Sequence, residues 1–297
     1  MWRNLSSTTK ELILMFTDYY YLIKPGIVRG NLMTAVAAFL FASRGNIDFI
    51  LLVFMALGLG LVIASGCVLN NILDRSIDAK MERTKKRALV TGRISEIQAL
   101  IFASIIGVAG FLVLSFYTTP TASFSASIGF IFYVLVYGYA KRRTIYSTLI
   151  GSISGAVPPV VGYTAVTNTF DLAAVLLFLI LCAWQMPHFY SIAIYRKSEY
   201  KNAEIPLPSV VKGVETVKKH ITVFVYLFFL SAVSFYYLGY TGMTYLLVMT
   251  VVSIWWIVKT HKYQELNYEK WAKQMFGISL VVLLVFSVTI SVDFFLP

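Results

Sequence analysis

Apolar residues run continuously along this chain, in nine stretches at about residues 26–43, 48–70, 95–117, 121–140, 146–165, 171–194, 219–237, 242–259 and 274–295. Each approaches the ~20 residues that a helix needs to cross a bilayer. A membrane β-barrel would instead show ~10-residue segments of alternating polarity. The pattern predicts an all-α fold: a polytopic membrane helical bundle of nine transmembrane helices around a central cavity open to the cytoplasmic side. Residues 1–25 read as a cytoplasmic interfacial segment, in which Thr9 to Leu22 form a surface helix with Tyr19, Tyr20 and Tyr21 at headgroup depth. Residues 26–297 read as a single membrane domain.

Composition agrees. Hydrophobic residues make up 58% of the chain and charged residues 13%, about half the charged share of a soluble domain. Charge then gives the orientation, because Lys and Arg in short loops stay on the cytoplasmic side. Of the 25 basic residues, Arg44 alone falls on one side of the nine predicted spans. The others fall on the opposite side, before the first span and after the second, fourth, sixth and eighth. The N-terminus is therefore expected in the cytoplasm and the C-terminus outside. The net charge of +11 follows from this topology and from attraction to anionic lipid. Nucleic-acid binding is excluded as a reading, because the charge is divided among short loops. Cys67 and Cys182 both fall inside spans without metal-ligand spacing and read as small packing residues. The first 25 residues show no apolar core before a cleavage site and no arginine-rich targeting character, which points to a bacterial plasma membrane.

Two loops on the basic side, 71–94 and 195–218, are longer than the others, and long loops tend to carry function. The first opens on Asn70-Asn71-Ile72-Leu73-Asp74-Arg75-Ser76-Ile77-Asp78. If the second span continues as helix to Asp78, then Asn70, Asp74 and Asp78 fan over only about 80° of one face. Hard oxygen ligands grouped in this way suit Mg²⁺, and a helix C-terminus favours a cation. An ordinary charged helix end is the plainer reading, set against the cost of acids at a membrane edge. Lys80, Arg83, Lys85, Lys86 and Arg87 follow at once. This density of cations beside carboxylates suits a diphosphate-bearing substrate. Lys141, Arg142 and Arg143 form a second basic rim, and Lys24, ahead of Pro25, adds another cation.

A different polar group interrupts the sixth span: Trp184-Gln185-Met186-Pro187-His188-Phe189, with Arg196 to Tyr200 at its end. Gln185 and His188 are costly in lipid and should face the bundle interior. A lone buried histidine is commonly a hydrogen-bonded packing residue; the neighbouring proline, which should kink the helix, and the glutamine favour a site. Glu199 is placed to face the first motif and supply another metal ligand. In the fifth span, Gly151 and Gly155 suit close helix packing, and Pro158-Pro159 is expected to break the span.

Asn70-Asn71-x-x-Asp74-x-x-x-Asp78 resembles the Asn-Asp-x-x-Asp-x-x-x-Asp signature of the membrane prenyltransferase superfamily that includes the 4-hydroxybenzoate polyprenyltransferases, with Asn71 in place of the acid. Trp184-Gln-Met-Pro-His188-Phe is similar to the hallmark of its protohaem IX farnesyltransferase (haem O synthase) family. Lys24-Pro25, Lys141-Arg142-Arg143, Gly155-Ala-Val-Pro-Pro159 and Val210-Val-Lys-Gly213 fit the same pattern. The resemblance extends from about residue 20 to 295. Two departures stand out. Ser198-Glu199-Tyr200 replaces the family's Asp-Asp-Tyr, and Ala203-Glu204-Ile205-Pro206 replaces its Ala-Gly-Ile-Pro.

The resemblance implies transfer of a farnesyl group from farnesyl diphosphate to a vinyl group of haem B, with water addition, giving haem O. On this implication Asn70, Asn71, Asp74, Asp78 and His188 are catalytic. Asn70, Asp74, Asp78 and Glu199 hold Mg²⁺. Lys24, Arg83, Lys85, Lys141, Arg142 and Arg143 bind the diphosphate, and Trp184, Gln185 and His188 bind haem. The lipid bilayer is the medium, and a haem A synthase or terminal-oxidase assembly factors are the implied partners. A prenyltransferase for a quinone precursor or other aromatic acceptor would use the same diphosphate site. A transporter would need nine helices but not the acids beside a basic loop.

Overall fold

The computed structural model describes residues 7–262 and 267–295. Arg3 and the rest of residues 1–6 of the expected interfacial segment lie outside the described residues. The helices are, in chain order, α1 (Ser7–Leu22), α2 (Pro25–Ser43), α3 (Phe49–Leu73), α4 (Arg75–Asp78), α5 (Ala88–Thr91), α6 (Glu96–Tyr117), α7 (Pro120–Ile131), α8 (Gly138–Ala140), α9 (Ser147–Thr167), α10 (Leu172–Tyr195), α11 (Lys197–Asn202), α12 (Pro208–Val211), α13 (Val214–Tyr237), α14 (Met243–His261) and α15 (Tyr268–Val292). A π-helical turn, Phe132–Tyr137, joins α7 to α8.

Counting α7 to α8 as one, nine helices among the described residues are long and apolar enough to cross a membrane. Their bounds follow the hydropathy pattern except at α13 and α15, which start earlier than predicted and carry Lys218, Lys219, Lys270 and Lys273 in their first two turns. Apolar length measures the hydrocarbon slab, whereas backbone hydrogen bonding continues into the headgroup region. All of the basic loops gather at one end of the bundle, called the basic end below.

Lipid gives helices no hydrophobic reason to associate, so packing rests on close contact and interhelical hydrogen bonds. The helices α9 and α10 are central, with 61% of each span buried against 22% for α7 to α8. Gly162 of α9 lies against the Ala35 carbonyl of α2, where an added Cβ would fall 1.9 Å from that oxygen. Ser65 Oγ donates to Ala103 O at 2.8 Å between α3 and α6. Helix α9 stays helical through Pro158 and Pro159, and α10 through Pro187. The expected break at Pro158-Pro159 does not occur: both rings are buried among neighbouring helices, which hold the segment in place.

At the basic end the two long loops fold onto each other. Ile77 and Met81 of the first pack with Ala203, Ile205 and Leu207 of the second and with Ala193 of α10. Lys80 Nζ reaches Glu204 at 2.9 Å across the join. Glu204 holds φ 58°, a left-handed conformation that explains why the resembled family carries glycine here. Helix α1 lies outside the bundle with Phe16 and Tyr21 exposed. It is tied down by a two-pronged ion pair from Arg93 to Asp18.

Candidate active site

The C-terminal turn of α3 and the first loop place Asn70, Asn71, Asp74 and Asp78 side by side, each at most 4% exposed. The helix does not run unbroken to Asp78. Asp74 leaves helical geometry (φ −87°, ψ 0°), and α4 restarts at Arg75. The Asp78 N–H still bonds to Asp74 O at 2.8 Å, so the expected face is kept through the interruption.

Each of these side chains meets a cation or a donor. Lys141 Nζ donates to Asp74 Oδ2 at 2.6 Å. Arg87 donates to Asp78 Oδ2 and, at 3.0 Å, to Asn71 Oδ1. Asn71 Nδ2 donates to Leu22 O at 2.8 Å, which fixes α1 and its turn to the site. Lys24 Nζ donates to Asn70 Oδ1 at 2.6 Å. Lys24 itself sits at φ 52°, an uncommon conformation for a side chain of this kind. Enclosure by protein pulls its ammonium down to about 8. Burial also acts to lower Lys141, but the Tyr137 oxygen and the Asp74 carboxylate outweigh it and leave that ammonium above its ordinary value.

The wall beside these groups is aromatic. Tyr133 and Tyr137 stack at 5.9 Å on the π-helical turn, a backbone form common at functional sites. Gly66 and Gly151 make room for their rings. Tyr200 of α11 closes the set, its hydroxyl pushed up by burial near Tyr137, Arg83 and Lys141. Next to it Arg196 Nη1 pairs with Glu199 Oε1 at 2.9 Å.

Three buried polar atoms around this site have no partner among the described residues: Asn70 Nδ2, Asp74 Oδ1 and Glu199 Oε2. Six other buried side-chain atoms among the described residues, Tyr245 Oη and Trp256 Nε1 among them, also lack a partner; these three stand out because each belongs to a residue that holds a cation through its other atom. Two are carboxylate oxygens suited to a cation. The third is a donor suited to an anion, because Asn70 must turn its oxygen to the Lys24 ammonium. No group of three acids, histidines or cysteines forms a ready metal cluster among the described residues. In this arrangement Asp74 holds Lys141, Asp78 holds Arg87 and Glu199 holds Arg196.

The basic residues sort differently from their order in sequence. Lys24, Arg87 and Lys141 reach the buried acids and amides. Lys85 pairs with Glu82 on the exposed loop. Arg142 caps α3 at Leu73 O, and Arg143 lies over its own neighbour Tyr139 at 4.0 Å; both are exposed. Arg83 stays exposed, with its charge near Tyr200. Tyr133 and Tyr137 escaped the sequence reading, and Tyr200 entered it only as the end of a motif, with no role. The i, i+4 tyrosines ending four residues before Lys141 were the only local signal.

The second polar group is built differently. Gln185 Nε2 donates to Ser152 O and Leu181 O, both at 3.1 Å. Its Oε1 lies against Gly155, where an added Cβ would fall 2.0 Å away. Trp184 Nε1 donates to Ser279 O of α15 at 2.6 Å. Gln185 and Trp184 therefore join α10 to α9 and α15, because an amide or indole N–H in lipid must find a carbonyl. His188 stays half-buried.

A helical bundle of nine membrane-spanning lengths among the described residues, its broken Asn/Asp helix end set among lysines and an arginine beside a tyrosine wall, defines a class of polytopic membrane protein with a charged site at one end. The chain belongs to the UbiA prenyltransferase family, whose model matches residues 31–283, and it is a prenyltransferase. Among curated proteins it is 47% identical to the protoheme IX farnesyltransferase of Cronobacter sakazakii, over 95% of this chain and 97% of that protein. Among solved structures it shares its fold with a digeranylgeranylglyceryl phosphate synthase (TM-score 0.77, 20% identity, 94% of this chain and 98% of that one). It also shares it with a UbiA homologue from Archaeoglobus fulgidus bound to GPP and Mg²⁺ (TM-score 0.64, 15% identity, 92% and 99%).

Proposed function

We propose that this protein transfers the farnesyl group of farnesyl diphosphate to a vinyl group of haem B, with addition of water, to give haem O. The observation that carries the reading is the pair of partnerless atoms Asn70 Nδ2 and Asp74 Oδ1 beside Lys24, Arg87 and Lys141, with a third such atom, Glu199 Oε2, on α11. The kinship with protoheme IX farnesyltransferases supports the choice of haem over other acceptors.

Lys24, Lys141 and Arg87 hold the diphosphate oxygens, with the Asn70 amide as an additional donor. The Asp74 and Glu199 oxygens, with Asp78, fit Mg²⁺, as the divalent ion in the archaeal homologue with GPP also suggests. Bound there, the ion supplies positive charge that stabilises the departing diphosphate. Tyr133 and Tyr137, stacked on one another, keep water from the breaking carbon–oxygen bond and bring aromatic π density to the developing allylic cation. His188 of α10 orients the porphyrin. The basic end faces the cytoplasm of a bacterium, and the product passes to haem A synthase or terminal-oxidase assembly.

The test is incubation of the purified chain with haem B, farnesyl diphosphate and Mg²⁺, followed by porphyrin mass. A gain of one farnesyl plus one water is expected. Diphosphate release with a quinone precursor but not with haem would overturn the haem assignment and leave the diphosphate site in place.

A further inference from the structure

Trp184 and His188 lie four residues apart on α10, and both address one residue of α15. Trp184 donates to the Ser279 carbonyl at 2.6 Å, and His188 Nδ1 lies 2.9 Å from Ser279 Oγ. Ser279 is fully buried. Its hydroxyl has one proton, and Oγ stands 2.6 Å from the Phe276 carbonyl, which can only accept. With that proton engaged, Oγ can only accept from the imidazole, so Nδ1 carries the ring hydrogen. Neutral His188 then has its lone pair on Nε2, to which no described residue is hydrogen-bonded.

The ring is also held in plane. Trp184 stacks on it at 4.9 Å with 24° between planes, and Phe276 lies 4.8 Å away at 35°. Phe189 adds an edge-on contact at 5.2 Å, so three aromatic rings and the tie at Nδ1 restrain the imidazole, and Nε2 is the ring nitrogen that remains without a hydrogen bond among the described residues. An in-plane lone pair with its ring fixed by a hydrogen bond at the other nitrogen is the arrangement of an imidazole metal ligand.

We infer that Ser279 is a positioning residue: it holds His188 as the Nδ1–H tautomer so that Nε2 can coordinate the iron of the porphyrin substrate. This rests on the haem reading above. A nitrogen–iron bond forms at a vacant or water-occupied axial position. No proton or electron is transferred, and any displaced water leaves intact. Trp184, through the same serine, sets the ring plane, which gives both motif residues one purpose.

Two measurements on the full-length, purified chain test it. The first is ¹⁵N resonance of the histidines, of which there are three, with His188→Ala to assign the signal. Nδ1 protonated and Nε2 bare is expected for His188; the reverse overturns the inference. This holds however well any Ser279 variant folds. The second is optical titration with haem B and, separately, with iron-free protoporphyrin IX. Ser279→Ala should weaken haem binding by about 10-fold or more and diminish the histidine-ligated spectrum. Ser279→Thr should restore both, and binding of the iron-free porphyrin should not change.

A wild type that farnesylates haem while Ser279→Ala keeps its spectrum and affinity overturns the inference alone. A wild type that shows the histidine-ligated spectrum but converts no haem overturns the proposed reaction and leaves the coordination standing. Equal weakening of haem and iron-free porphyrin would show a packing role and also overturn it.

Discussion

At the basic end, Asn70, Asp74 and Glu199 each keep a buried polar atom without a partner, whereas at the junction of α9, α10 and α15 the N–H groups of Trp184 and Gln185 are all engaged. Both regions place polar groups where they are expensive. The difference lies in residual capacity. The first is an assembly of buried ion pairs with atoms left over for a ligand, and the second joins helices and leaves one ring nitrogen, His188 Nε2, at its edge. A polar residue within a membrane protein therefore identifies a site less well than an unsatisfied polar atom on a residue that also holds a cation.

The most severe test is Asp74→Asn, which removes a carboxylate whose Oδ1 has no partner. Turnover should fall by at least ~10³-fold, with thermal unfolding in detergent showing a folded chain; near-wild-type turnover would sink the site. Next is the sorting of the cations. Lys141→Ala should raise KM for farnesyl diphosphate by about 10²-fold, a charge-assisted contact being lost. Arg143→Ala, out on the exposed rim, should change it by less than about 2-fold, and equal effects would erase the distinction.

Gly155→Ala addresses the other region. A methyl group 2.0 Å from Gln185 Oε1 should destabilise the bundle by about 1–3 kcal/mol, read as a lower Tm with KM for the diphosphate unchanged. A selective KM effect would move Gln185 back into a binding role. The smallest effect expected is with pH. Lys24 is held near 8 against an ordinary 10.5, so in the free enzyme it loses charge as pH rises through 8. KM for the diphosphate should climb above that pH, and Lys24→Arg should flatten the rise. Between 8 and 10.5 the unfolded chain keeps a proton that the folded one has shed, so this group makes stability increase with pH over the same window.

The fold was legible because its signal is local. Span length and the change from apolar to basic loops depend on neighbours in sequence, and eight short, charged or tight connections followed from them. Asn70, Asn71, Asp74 and Asp78 were legible for the same reason, since the four-residue period survives even the interruption at Asp74. Pro158 and Pro159 were misread, because a broken span is the local expectation and packing on α2 and α10 overrides it. Lys85, Arg142 and Arg143 fit the basic pattern as well as Arg87 and Lys141 do, and pattern alone cannot separate them.

By itself the sequence determined nine spans, their common basic side and a helix end rich in oxygen ligands, all consequences of hydrophobic run length and helical period. Only the tertiary structure decided that Lys141 meets Asp74 from 67 residues away, that Arg87 turns inward where Lys85 does not, and that Ser279 meets His188 across 91. Long, flexible side chains take their direction from whichever buried partner satisfies them, and that partner is set by which helices pack together.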